Sequence, residues 1–155
     1  MSSKPLIIRP AEAHDRDAFL EMWRDFVSLA PDEPGNHQMG ETNWRRIMDP
    51  DHGLECIVAL GDDGAPAGFT LFLPLAFTWS TGDACYLQDI YVRPESRGSG
   101  IAQAMIEHLR QLGLKAGWFK IFWMTQADNI AAQRVYDKVA KRMDYLRYDL
   151  NVCAP

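Results

Sequence analysis

The chain has 155 residues, 47% of them hydrophobic and 24% charged, and a net charge of −5. A chain of that length buries roughly 68–70% of its unfolded surface and is expected to form one domain. No run approaches the ~18 continuous apolar residues of a membrane span, and the acidic balance lacks the basic footprint of a nucleic-acid binder. A soluble protein with neither membrane nor nucleic-acid partners is therefore expected.

The opening MSSKPLIIRP lacks the apolar region and small-residue cleavage site of a secretory signal, so the expected location is cytoplasmic. Leu6 to Ile8 reads as a short strand before Pro10. From Ala13 to Ala30, the residues Phe19, Leu20, Trp23, Phe26 and Val27 recur at spacings of three and four, the stripe of an amphipathic helix. Breakers from Pro31 to Asn36 end that helix in a loop carrying two carboxylates, Asp32 and Glu33. A shorter helix is predicted from Thr42 to Met48, and Asp49-Pro50-Asp51 stops it. Leu54 to Leu60 reads as a strand, and Gly61-Asp62-Asp63-Gly64 is hairpin chemistry leading into a second strand from Ala67 to Thr78. Pro74 cannot donate to a ladder, so it implies a bulge, an edge or a break. A turn at Ser80 to Asp83 precedes a third strand, Ala84 to Val92. Next come a helix from about Ser99 to Ala116, striped by Ile101, Met105, Leu109 and Leu112, and a strand from Phe119 to Thr125. A helix from Asn129 to Ala140 starts behind Asp128 as its N-cap, and alternation from Tyr145 to Val152 predicts a last strand. This order describes an α+β, mixed α/β fold in which Ala84 to Val92 feeds a right-handed crossover into Phe119 to Thr125.

The densest chemical signal is QDIYVRPESRGSGIAQAM, Gln88 to Met105. Its turn, Arg97-Gly98-Ser99-Gly100-Ile101-Ala102, sets two glycines and several backbone N–H groups at a helix N-terminus, where orphan donors and the dipole favour an anion. A lone GxG after a strand also marks an ordinary tight turn. A Walker loop needs GxxxxGK[ST], and neither its spacing nor its lysine is present. A dinucleotide fingerprint needs a third glycine or alanine where Gln103 stands. Cys56, Cys85 and Cys153 form no CxxC pair, and His14, His37, His52 and His108 have no HxxxH or HExxH spacing, so neither a disulfide framework nor a metal site is expected.

Taken together, YLQDIYVRPESRGSGIAQAMIEH and IFWMTQADNIAAQRVYDKVA resemble the GCN5-related N-acetyltransferases, the GNAT superfamily, from about Tyr86 to Tyr148. The match is to the V-x-P-x-x-R-G-x-G variant of the family pattern, met by Val92, Pro94, Arg97, Gly98 and Gly100, while Glu95 departs from the Arg/Gln variant. Among members, the wording is closest to small-amine acetyltransferases of the polyamine and histone type. The resemblance implies a GNAT-like domain over the whole chain, with a central mixed sheet of about six or seven strands and flanking helices. It implies direct transfer of the acetyl group of acetyl-CoA to a primary amine of a small-molecule or lysine-like peptide acceptor, with no metal, and possible homodimers. A noncatalytic acyl-CoA-binding module is the alternative.

The resemblance also assigns roles. Gly98, Ser99, Gly100, Ile101 and Ala102, with Arg97, hold the pyrophosphate. The backbone of Ile90, Tyr91 and Val92 pairs with the pantetheine arm in a splay between neighbouring strands, and one N–H there polarises the thioester carbonyl. Asn129 contacts the arm, and Tyr136, seven residues on and on the same face, donates a proton to the departing thiolate. Tuning of the Tyr136 phenol is expected, because a phenol near 10 and a thiol near 8.5 make that transfer mildly uphill. Polyamine-type relatives carry a glutamate where Gln88 stands, and an amide takes no proton. Asp89 is expected on the opposite face of its strand. Gln88, Trp23, Asp32 and Glu33 are the acceptor-site candidates, and the base is left open.

Overall fold

The computed structural model describes residues 5–30 and 36–152. Asp32 and Glu33 lie outside the described residues, as does Cys153. Five strands, β1 (Ile7–Pro10), β2 (Glu55–Leu60), β3 (Pro66–Leu75), β4 (Ala84–Val92) and β5 (Lys120–Phe122), form one sheet in sequence order. The first four run antiparallel, and β4 and β5 pair in parallel across helix α3 (Ile101–Ala116). Helices α1 (Arg16–Ser28) and α2 (Met39–Met48), each entered through a 3₁₀ turn, and α4 (Ile130–Tyr136) complete the fold. Among the described residues no helix is long and apolar enough to cross a membrane.

The sheet is covered on both faces. On one face Phe19, Met22, Trp23 and Val27 of α1 and Trp44 of α2 pack on Val58, Phe69 and Leu71. On the other, Met105, Ile106 and Leu109 of α3 pack on Ile57, Ala59, Phe72 and Leu87. Double coverage explains why β2 reads as an unbroken apolar run, since neighbours Ile57 and Val58 are both buried, on opposite faces. Arg9 of β1 donates to both carboxylate oxygens of buried Asp15, at 2.6 and 3.0 Å, and the Glu12 N–H adds a third bond at 2.8 Å. Burial alone would raise the Asp15 pKa, but these donors outweigh it and hold the carboxyl below its ordinary range.

Several boundaries differ from the sequence expectation. Pro74 pairs with Cys85 of β4 but lies beyond the last β2 partner, Glu55 opposite Phe72, so its missing N–H falls where β3 has lost its other neighbour. The strand predicted from Phe119 to Thr125 contracts to β5, because β4 has diverged past Tyr86 and Phe122. The predicted strand from Tyr145 to Val152 does not form: residues 141–152 belong to no helix or strand. The sheet therefore has five strands among the described residues, not six or seven.

Candidate active site

Pairing between β4 and β5 stops at Tyr86 opposite Phe122, while β3 continues along β4 as far as Val92. From Leu87 to Val92, then, β4 has a neighbour on one side only. That is the splay expected at Ile90, Tyr91 and Val92, and it opens just before the glycine turn.

The turn leaves open space around its backbone. Gly98 and Gly100 take φ of +76° and +84°, a left-handed backbone that glycine adopts without strain, and a Cβ at either position would meet nothing within 4 Å. The first α3 bond runs from the Ala104 N–H to the Gly100 carbonyl. The N–H groups of Gly98, Ser99, Gly100, Ile101, Ala102 and Gln103 have no acceptor among the described residues. Successive free donors at a helix N-terminus make an anion-binding concavity. Arg97 folds back onto the strand end, donating from Nε to the Val92 carbonyl at 2.9 Å with its guanidinium 5.7 Å from the Tyr91 ring. Ser99 Oγ caps the Ser96 carbonyl at 2.5 Å. These internal contacts fix the turn and leave its backbone donors facing no partner.

On the α1/α2 face lies a cavity of about 440 Å³ whose lining includes Trp23, Phe26, Asn43, Arg46, Gln88 and Asp89. Adjacent strand residues normally face opposite ways, and here a β-bulge changes that. Leu71 of β3 sits opposite Asp89, the next residue Phe72 sits opposite Leu87, and Gln88 is the extra residue. Leu87 and Ile90, three apart, consequently share the α3 face, and Asp89 turns with Tyr91 toward α1 and α2. The expectation that Asp89 faces the opposite side of its strand from Gln88 is corrected by this bulge, since both line the cavity. Burial pushes its carboxyl up to about 6.

Trp23 lines the cavity and is also core, 6% exposed, stacked with Phe19 at 6.2 Å. Sequence reasoning missed Arg46 and His52, two cationic or polar groups on the same lining. Helical spacing offers no signal for either one. Arg46 donates weakly to Asn43 Oδ1 at 3.3 Å, and among the described residues no carboxylate pairs with it.

Asn129 is itself the N-cap of α4, its Oδ1 accepting from the Ala132 N–H at 3.2 Å, so the predicted cap at Asp128 moves by one residue. The helix also ends at Tyr136, short of the predicted Ala140. Tyr136 packs edge-on against Trp123 at 5.4 Å, on the flank of the α3-side core. Burial raises its phenol above the ordinary value, opposite to the tuning that would ease proton donation. Cys56 and Cys85 are both buried, and burial pushes the Cys85 thiol up to about 12. Neither is a nucleophile at neutral pH. Among the described residues no group of three His, Cys, Asp or Glu is placed to hold a metal ion.

The chain is similar along 97% of its length to the D-amino-acid N-acetyltransferase HPA3 of Saccharomyces cerevisiae, with 25% identity over 156 residues covering 94% of that protein. It is 32% identical over 88 residues to a thialysine N-epsilon-acetyltransferase of Caenorhabditis elegans, covering 57% of this chain and 52% of that one. Its fold matches the ribosomal-protein-alanine N-acetyltransferase of Brucella melitensis biovar Abortus 2308 with a TM-score of 0.79 at 22% identity, covering 96% of this chain and 99% of that one. A crystal structure described as a probable acetyltransferase matches with a TM-score of 0.83 at 21% identity, covering 96% and 99%. Residues 17–140 match the model of the Acetyltransferase (GNAT) family, which transfers acetyl groups from acetyl-CoA. The chain belongs to that family and is an N-acetyltransferase.

Proposed function

We propose that the protein acetylates the primary amine of a small acceptor that also carries an anionic group, an amino acid being the simplest. The observation that carries this reading is Asp89, turned by the Gln88 bulge into a cavity that Arg46 also lines. A carboxylate for the ammonium and a guanidinium for an anion suit a zwitterion, whereas a polyamine would gain nothing from Arg46. The names of the yeast and nematode relatives, a D-amino-acid and a thialysine acetyltransferase, support amines borne on amino acids.

The residues present fit acetyl-CoA: free N–H groups from Gly98 to Gln103 suit its pyrophosphate, and the one-sided stretch of β4 suits its amide-bearing arm. Bound there, acetyl-CoA supplies a thioester whose carbonyl carbon forms the new C–N bond while its C–S bond breaks. Asp89 accepts the ammonium proton, directly or through a water that Gln88 orients. The N–H of Tyr91 or Val92 polarises the carbonyl. Tyr136, with its phenol held protonated by burial, donates a hydrogen bond to the leaving sulfur rather than surrendering its proton. Asn129 spends its carbonyl oxygen on the helix cap, which leaves its amide N–H for the arm. With both described cysteines buried, transfer is direct.

The doubt that Gln88 raised, and with it the case for a noncatalytic module, loses its ground once Asp89 supplies a base. The experiment is thiol release from acetyl-CoA with D- and L-amino acids, thialysine, spermidine and an aminoglycoside as acceptors. Turnover with amino acids above spermidine is expected. Faster turnover with spermidine would overturn the zwitterion reading, and thermal stabilisation by CoA without turnover would favour the noncatalytic module.

A further inference from the structure

The walls of the cavity on the α1/α2 face divide by element. Its polar side chains come from α2, the turn after α2 and β4, while α1 and β3 offer only aromatic and aliphatic ones: Trp23, Phe26 and Val27 from the helix, Leu71 and Leu73 from the strand, with Ala30 just beyond the helix end. Trp23, Val27 and Leu71 are buried, so the floor of the cavity is apolar. Gln88 and His52 are exposed and Arg46 and Asp89 half-buried, which puts the polar groups nearer the rim.

Asn43 gives the arrangement a direction. It is 8% exposed, its Oδ1 accepts from Arg46 Nη1 at 3.3 Å, and its amide N–H groups meet no acceptor among the described residues. No sealed polar side-chain atom among those residues lacks a partner, so this nitrogen is open, on a residue that lines the cavity. Arg46 and Asn43, one turn apart on α2, therefore offer donors to one carboxylate, and Asp89 on β4 takes the ammonium.

We infer that the acceptor is an amino acid with a large apolar side chain, branched aliphatic or aromatic, seated between α1 and β3. The inference rests on the zwitterion reading, because seats for the carboxylate on α2 and the ammonium on β4 leave α1 and β3 for the third substituent. Charge decides against an ionised side chain. Asp89 and Arg46 are both taken by the acceptor's own α-groups, so the side chain of lysine or glutamate would bring a third charge onto an apolar floor, a desolvation cost with no partner there to offset it. Size decides against a small one. The cavity of about 440 Å³ lies within the ~300–1,000 Å³ of small-molecule sites, and glycine or alanine would leave its apolar walls to water. Trp23 and Phe26, with ring centroids 5.6 Å apart, give an aromatic side chain two rings to pack on.

The test is kcat/KM with glycine, alanine, serine, lysine, glutamate, leucine and phenylalanine, each as both enantiomers, and with phenethylamine, for the unaltered protein and for Ala30→Leu. For the enantiomer that turns over faster, leucine and phenylalanine should exceed alanine by at least ~10-fold, the low end of what one methylene discriminates in an apolar pocket. Lysine and glutamate should fall below alanine. Ala30→Leu lengthens a half-buried side chain on the cavity wall, and it should lower the ratio of phenylalanine to alanine by at least ~10-fold. The series on the unaltered protein decides the matter even if the variant folds poorly. Alanine, serine, lysine or glutamate turned over as fast as phenylalanine, or a ratio that a folded Ala30→Leu leaves in place, would overturn the apolar seat. Phenethylamine outpacing phenylalanine would instead remove the carboxylate from recognition, refuting the zwitterion reading while supporting the apolar seat.

Discussion

Replacing Asp89 by Asn removes the proposed base and leaves the side chain's shape. With its carboxyl pushed up to about 6, Asp89 is more than nine-tenths ionised at pH 7.5. An acceptor ammonium near 10.4 lies roughly 4 units above it, so the transfer is uphill by about 6 kcal/mol at 1.36 kcal/mol per unit. That fits inside the ~16 kcal/mol barrier of a turnover of about 10 per second. Without Asp89 the enzyme must wait for free amine, about one molecule in a thousand at pH 7.5, and a loss of 10²–10⁴ in kcat/KM for the acceptor is expected. The assay is kcat/KM from pH 5 to 9. The unaltered enzyme should rise with unit slope to about 6 and then level, while Asp89→Asn should keep rising toward the acceptor's own pKa. Stability provides the control. A carboxyl with a raised folded-state pKa penalises the fold once it ionises, so Asp89→Asn should stabilise the protein above pH 6, by up to about 3 kcal/mol, and be neutral below its ordinary 3.8. A variant that retains the limb near 6 with activity within about threefold would refute the assignment.

Arg46→Gln should raise KM for amino-acid acceptors by about 10-fold or more, the scale of a lost hydrogen bond to a charged group, and leave polyamine turnover unchanged. Tyr136→Phe should lower kcat on the order of 10- to 100-fold with acceptor KM little altered, and unchanged turnover would remove Tyr136 from the chemistry. Gly100→Ala adds a methyl that meets nothing but forces a side chain to φ +84°, at a cost of about 1–2 kcal/mol. Its KM for acetyl-CoA should rise more than its KM for acceptor. Asp15→Asn should cost about 3 kcal/mol in urea unfolding at pH 7 by breaking the Arg9 pair. Because the folded-state pKa of Asp15 is depressed, its contribution is present above the ordinary 3.8 and is lost as pH falls through the folded value, so the variants should converge in acid.

Much of this was legible in the sequence. Strand β4 runs from Ala84 to Val92 as its apolar run predicted, and Gly98 and Gly100 are left-handed where the turn pattern required glycine. Contributions from outside a segment were not legible. The bulge at Gln88 carries no glycine or proline to announce it and exists only as a mismatch of register with β3. Arg46 reaches the site through the packing of α2 on α1, which helical periodicity leaves undetermined. The cap fell on Asn129 rather than Asp128 because both residues suit the position and only backbone geometry separates them. Strand periodicity at Tyr145 to Val152 was read correctly as alternation, but alternation alone forms no ladder. A strand also needs a neighbour, and among the described residues no strand pairs with this segment.

The bulge also bears on how this strand is compared with others. On β4 the face a residue takes is set by parity, and Gln88 resets the count: odd numbers before it and even numbers after it point to α3. Alignment by position alone puts an amide, Gln88, at a point where the next residue, Asp89, presents a carboxylate to the same cavity. Deleting Gln88 would restore regular alternation with Leu87 and Ile90 still facing α3 and Asp89 and Tyr91 still facing α1 and α2, so the extra residue changes the count along the strand and not the faces of its neighbours.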